Sequence, residues 1–126
     1  MSRDEIHIQF PAIETTESIG LEVITAQAVT VANGITLKNA MGCMNNTLFI
    51  ILSNTASTDS TLTVKKGDKF PNSILGDLTL TIAKSATTVL QIQDPSRFVN
   101  TEGDIDIDFG SAFAGTIYAI GKKVGL

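Results

Sequence analysis

Three carboxylates recur at every second residue in Asp104, Asp106 and Asp108. On a strand that spacing puts them on one face, about 7 Å apart. Calcium uses such oxygens, but it normally needs a loop that wraps it, and a straight strand supplies none. The stripe therefore reads as an exposed face whose charges deter edge-to-edge pairing. Other reactive side chains are few. His7 sits on the polar side of Ile6-His7-Ile8 and reads as a solvated group rather than a pH switch. Cys43 lies between Met41 and Met44 with no base beside it, so it reads as inert rather than nucleophilic. Gly67-Asp68 and Gly76-Asp77 lack the spacing and the following lysine of a phosphate loop, and read as turns. No His/Cys spacing fits a metal site. The sequence thus predicts no catalytic residue, no metal ligand and no cofactor.

One local motif has a clear structural meaning. Asp94-Pro95-Ser96-Arg97-Phe98 predicts a single helical or 3₁₀ turn, with Asp94 as the N-cap and Pro95 at the first helical position. Arg97 would pin that turn by pairing with Asp94 or a neighbouring carboxylate, its stem packing beside Phe98. That role is favoured over a contact with a partner.

The elements that must position these groups are strands. Ile, Thr and Val make up 38 of 126 residues, and β-branched side chains suit a pleated sheet better than a helix. At 43% apolar and 17% charged, the chain is too apolar for disorder and long enough for one core. Its net charge of −4, with no basic cluster larger than Lys65-Lys66 or Lys122-Lys123, disfavours nucleic acid as a partner. The longest apolar run, Leu48–Leu52, is strand-sized, so no membrane span is expected. Acidic residues near the N-terminus and the lack of an apolar segment there argue against a signal peptide.

Alternation predicts strands at Ile35–Lys38, Ser60–Val64, Leu78–Ile82, Thr88–Ile92, Asp104–Phe109 and Thr116–Ile120. Thr47–Ser53 is apolar on both faces, hence central or at an interface. Leu78, Leu80 and Ile82 are expected to point inward together. Ile19–Val31 reads as two short strands or a bent one, with a helix over Leu21–Ala28 as the competitor. Asn33-Gly34 marks a turn, and 69–76 a surface loop. The sum is an all-β chain: an antiparallel β-sandwich or small, jelly-roll-like barrel of about eight or nine strands. Residues 1–18 read as an N-terminal arm with a short strand, and 19–126 as the single sandwich domain. If the arm leaves the domain, the alternating Ile6, Ile8 and Phe10 form the contact with another subunit or a binding partner, by strand addition. If it folds back, it is simply a first strand.

Residues 46–120 add a resemblance. In order they hold Thr47–Ser53, Thr61-Leu62-Thr63-Val64-Lys65-Lys66-Gly67-Asp68, Leu75-Gly76-Asp77-Leu78-Thr79-Leu80-Thr81-Ile82, Asp94–Phe98, Gly103-Asp104-Ile105-Asp106-Ile107-Asp108-Phe109 and Gly115–Ile120. This succession resembles the capsid decoration (cement) proteins of tailed bacteriophages. The resemblance implies a virion structural protein, made in the host cytoplasm, that binds the major capsid protein on the outside of the head, stabilises the shell and forms a homotrimer. It implies no catalytic residue, hence no enzyme. The alternative is a carbohydrate- or receptor-binding β-sandwich of a phage tail or adhesin. Sugar sites usually offer exposed aromatics for stacking, and a chain with no Trp and one Tyr is poor in them.

Overall fold

A computed structural model of the chain describes residues 3–10, 13–14, 19–20, 24–68 and 76–122. Among these residues, nine strands form two sheets. The first runs in the order β1 (Asp4–His7), β5 (Ile35–Lys38), β10 (Ile105–Phe109), β7 (Ser60–Val64), β8 (Leu78–Ile82). The second runs β4 (Gln27–Ala28), β11 (Gly115–Ile120), β6 (Leu48–Asn54), β9 (Ala86–Ile92). A separate pair joins β2 (Ile13–Glu14) to β3 (Ile19–Gly20). The protein is an all-β sandwich, and the strand pairings among the described residues are antiparallel except for β1 with β5.

The period-2 patterns explain the layers. In β6, Leu48, Ile50 and Leu52 are buried, while Phe49, Ile51 and Ser53 alternate with them on the outer face. β10 does the same, with Ile105, Ile107 and Phe109 inward and Asp106 and Asp108 outward. The inner faces of both sheets merge into one core that includes Ile35, Leu37, Leu62, Val64, Ile92 and Ile117. Each fully buried aliphatic side chain contributes roughly 1.5–3 kcal/mol of transfer free energy.

Residues 3–10 are part of this core, which corrects the reading of that stretch as a free arm. β1 lies parallel to β5, pairing Ile6 with Leu37. Two residues further on, Gln9 donates its N–H to Ala119 and accepts from the N–H of Gly121, bridging to the last strand of the other sheet. The segment thus crosses from one layer to the other and closes that side of the sandwich. Its alternate side chains fall between the layers: Ile6 is 1% exposed, Ile8 6%, and Phe10 packs partly buried against them. Ile6, Ile8 and Phe10 therefore hold this chain's own core and form no free contact surface.

β8 departs from its sequence pattern too. It pairs with a single neighbour at the open edge of its sheet, so Ile82 is buried, Leu80 partly so, and Leu78 is 37% exposed. Residues 24–26 are not helical. The expected readings of 15–18, 21–23, the 69–75 loop and the tail beyond Lys122 lie outside the described residues.

Candidate functional site

The outer faces of the two sheets differ sharply in chemistry. On the first sheet, the register sets Asp106 beside Thr36 and Asp108 beside Thr63. β10 runs between β5 and β7, so the acidic stripe guards no edge. Its carboxylates are instead compensated one by one. Arg3 donates to Asp108 at 2.5 Å and lies 3.8 Å from Asp106. Asp106 also accepts from the Thr36 hydroxyl at 2.8 Å. Lys65 reaches Asp77 at 3.0 Å and Asp108 at 3.8 Å. Asp104, just before the strand, is buried and accepts from Lys38 Nζ at 2.8 Å and from the Asn39 N–H at 2.9 Å. Among the described residues, no group of three or more His, Cys, Asp or Glu side chains is placed to hold a metal ion.

Asp77 shows how this charged face ties down the chain. One oxygen accepts from the Lys66 N–H at 2.8 Å, the other from Lys65 Nζ at 3.0 Å. These bonds, the backbone one first, hold its carboxyl below the ordinary 3.8. A lowered carboxylate stabilises the fold above its ordinary pKa and stops doing so as pH falls through the lowered value. Protection of the Lys66 amide in NMR hydrogen exchange should therefore be full above pH 3.8 and decline on acidification below it. In Asp77→Asn the amide should be less protected at neutral pH, with that acid step gone; an acid step that persists in the variant would refute the assignment.

The turn from 94 to 98 is built locally. Asp94 accepts from the Ser96 N–H at 3.1 Å and its hydroxyl at 2.6 Å, with Pro95 following at the start of a 3₁₀ turn, Pro95–Arg97. The guanidinium of Arg97 lies 4.8 Å over the Phe98 ring, a cation–π contact, and its buried Nε has no hydrogen-bond partner among the described residues. Gly67 donates to the Arg97 carbonyl at 3.1 Å. A Cβ at Gly67 would come within 2.7 Å of that oxygen, so the close approach requires glycine. Cys43 is buried, its sulfur 3.3 Å from the Thr47 hydroxyl. His7 is exposed, 3.8 Å from Glu5. The structure does not gather Asp94, Arg97, Cys43 and His7 into one constellation.

The second sheet carries the other kind of surface. Its register aligns outward side chains in rows: Gln91–Phe49–Ile120, Val89–Ile51–Tyr118, and Thr87–Ser53–Thr116–Ala28. None of these ten residues is charged. Val89 is 60% exposed, the highest value among the described large apolar residues; Phe49, Ile51, Tyr118 and Ile120 are partly exposed. Contiguous apolar surface of this kind commonly marks an interaction site. The sequence signalled it only as a strand apolar on both sides, because the rows exist only once β9, β6 and β11 are in register. Among the described residues, no helix is long and apolar enough to cross a membrane. Comparison with protein-family models, curated proteins and solved structures returned no match to this chain.

Proposed function

We propose that the chain is a virion structural protein that binds the outer surface of an assembled phage head and stabilises it. The observation that supports this reading is the uncharged outer face of the β4-β11-β6-β9 sheet, set opposite a face whose charges are paired internally. Such a sandwich would lie with the apolar rows against the capsid and the charged ladder toward water. Its work is mechanical: a protein that binds the assembled shell better than free subunits shifts the equilibrium toward the shell. Several weak contacts per assembly add avidity without one strong site.

Co-sedimentation with undecorated phage heads tests the reading. The wild-type chain should pellet with heads and remain in the supernatant alone. Ile51→Lys, at the centre of the face, should weaken binding by at least about tenfold, because a buried unpaired ammonium is costly. Thr63→Lys, on the opposite sheet, should bind as wild type. Circular dichroism confirms that both variants are folded. Failure of the wild type to pellet, together with binding on a glycan array, would replace this reading with the carbohydrate-binding one.

A further inference from the structure

Each sheet has two edges, and the four edges are not alike. On one side of the sandwich, the crossing of residues 3–10 and the Gln9–Ile120 bridge close the gap between layers, and β1 carries Asp4, Glu5 and His7. On the other side, β8 and β9 end the two sheets. β9 is the longer, with seven residues, Ala-Thr-Thr-Val-Leu-Gln-Ile. It pairs with β6 residue for residue, from Leu48 with Ile92 to Asn54 with Ala86, so it carries no bulge. It has no charge and no proline. Among the described residues, nothing outside β6 bonds the backbone from Thr87 to Leu90. Edge strands of soluble proteins are normally protected by the devices that β9 lacks.

We propose that β9 pairs, antiparallel and about a two-fold axis at Val89, with β9 of a second copy of this chain. Val89 is the middle residue of the strand. Pairing about it sets Val89 against Val89, Thr88 against Leu90 and Thr87 against Gln91, so no like charges meet. That favours a second copy over a charged partner. The net charge of −4 opposes self-association at every surface, but least at an edge that brings no charges close together, whereas a basic partner would find no counter-charge on β9. The pairing covers Val89, the most exposed large apolar side chain among the described residues. It also joins the outer-face row Tyr118–Ile51–Val89 to its copy across the axis, turning two four-stranded sheets into one of eight. The contact is isologous, so it yields a closed pair, in place of the trimer that the phage resemblance implies. It stands independently of capsid binding.

Light scattering across a concentration series tests it directly. The mass should rise from 13.4 kDa toward twice that value and stop there. Val89→Lys should shift the midpoint to at least about tenfold higher concentration, since it sets like charges opposite each other on the edge. Val89→Cys should form a disulfide-linked dimer on mild oxidation, because opposed residues of an antiparallel pair have Cα atoms roughly 4.5–5.5 Å apart. Thr79→Cys on β8 is the control and should stay monomeric on a non-reducing gel; the native Cys43 is buried. A chain that stays monomeric throughout, an oligomer whose midpoint Val89→Lys leaves unchanged, or cross-linking no faster at 89 than at 79 would overturn the proposal.

Discussion

Gly115→Ala should be among the most damaging single-methyl additions to this protein, with a loss of about 3 kcal/mol or more. Gly115 opens β11 at φ +150 and pairs with Asn54 of β6. A Cβ built there would overlap the backbone carbonyl oxygen of Ser53 and sit 2.9 Å from its carbon. Neither side offers relief, because the Gly115 carbonyl also accepts from Val29 N–H at 3.1 Å. Accommodating the methyl means parting β11 from β6, which loosens the buried Ile117 and Ala119 behind it. Unfavourable backbone geometry alone costs of order 1–3 kcal/mol, and disturbing the ladder adds to that. A loss of this size lowers the melting temperature by about 10 °C in a domain of this length. Gly76→Ala separates the two contributions. Gly76 has φ +78 but, among the described residues, nothing within 4 Å of an added methyl, so it should lose only about 1 kcal/mol, the left-handed penalty itself. Thermal unfolding followed by circular dichroism reads both variants. A Gly115→Ala melt within about 2 °C of wild type would mean that the two strands are not held as tightly as the geometry requires.

How much of this was legible in the residues depends on how far each pattern reaches. The alternation at Ser60–Val64 and Ile105–Phe109 is local, and a strand with one buried face follows directly. The Asp94-Pro95 cap is equally local, since the carboxylate needs only an amide two residues on. Ile6-His7-Ile8-Gln9-Phe10 shows the limit. Its alternation indicates a strand, but its partners are residues 35–38 and 119–121, and no short-range signal names them. β8 shows the same limit from the other side: Leu-Thr-Leu-Thr-Ile alternates as well as any strand here, yet an edge position leaves Leu78 exposed. Exposure is set by neighbours, which periodicity does not contain.

The candidate faces were legible to different degrees for the same reason. Asp104, Asp106 and Asp108 share a face by spacing alone, but their compensation by Lys38 and Arg3 spans 66 to 105 positions. Without those cations the stripe looks like a guard on an edge; with them it is a cross-linked central strand. The uncharged rows on the other sheet need three strands in register before Val89, Ile51 and Tyr118 become neighbours.

Asp104 makes the strongest test of that charged ladder, and Asp104→Ala should lower stability by about 2–3 kcal/mol. The residue is 2% exposed, so its carboxylate gives up hydration and is stable only because its bonds replace it. One oxygen accepts from Asn39 N–H at 2.9 Å, at a left-handed residue, φ 62, that leads into the 3₁₀ turn Ala40–Gly42. Its backbone exchanges bonds with Asn100: it donates to the Asn100 side chain at 3.2 Å and accepts from the Asn100 N–H at 2.8 Å. Alanine removes the acceptor for Asn39 and leaves a gap where the carboxylate stood. An unsatisfied donor typically costs about 1–3 kcal/mol, and the lost packing adds to it. Asp104→Asn keeps an oxygen for Asn39 and should lose less. The pH dependence distinguishes the ion pair from the turn. The hydrogen bond that Lys38 Nζ donates to the Asp104 carboxylate is the main cause that raises Lys38 above its ordinary 10.5. A raised lysine stabilises the fold fully below its ordinary value and stops doing so as pH climbs through the raised one. Urea midpoints of the wild type should therefore show an extra decline above pH 10.5 that both variants lack. If Asp104→Ala matched the wild type near neutral pH, the carboxylate would not be anchoring the turn, whatever its distance to Asn39.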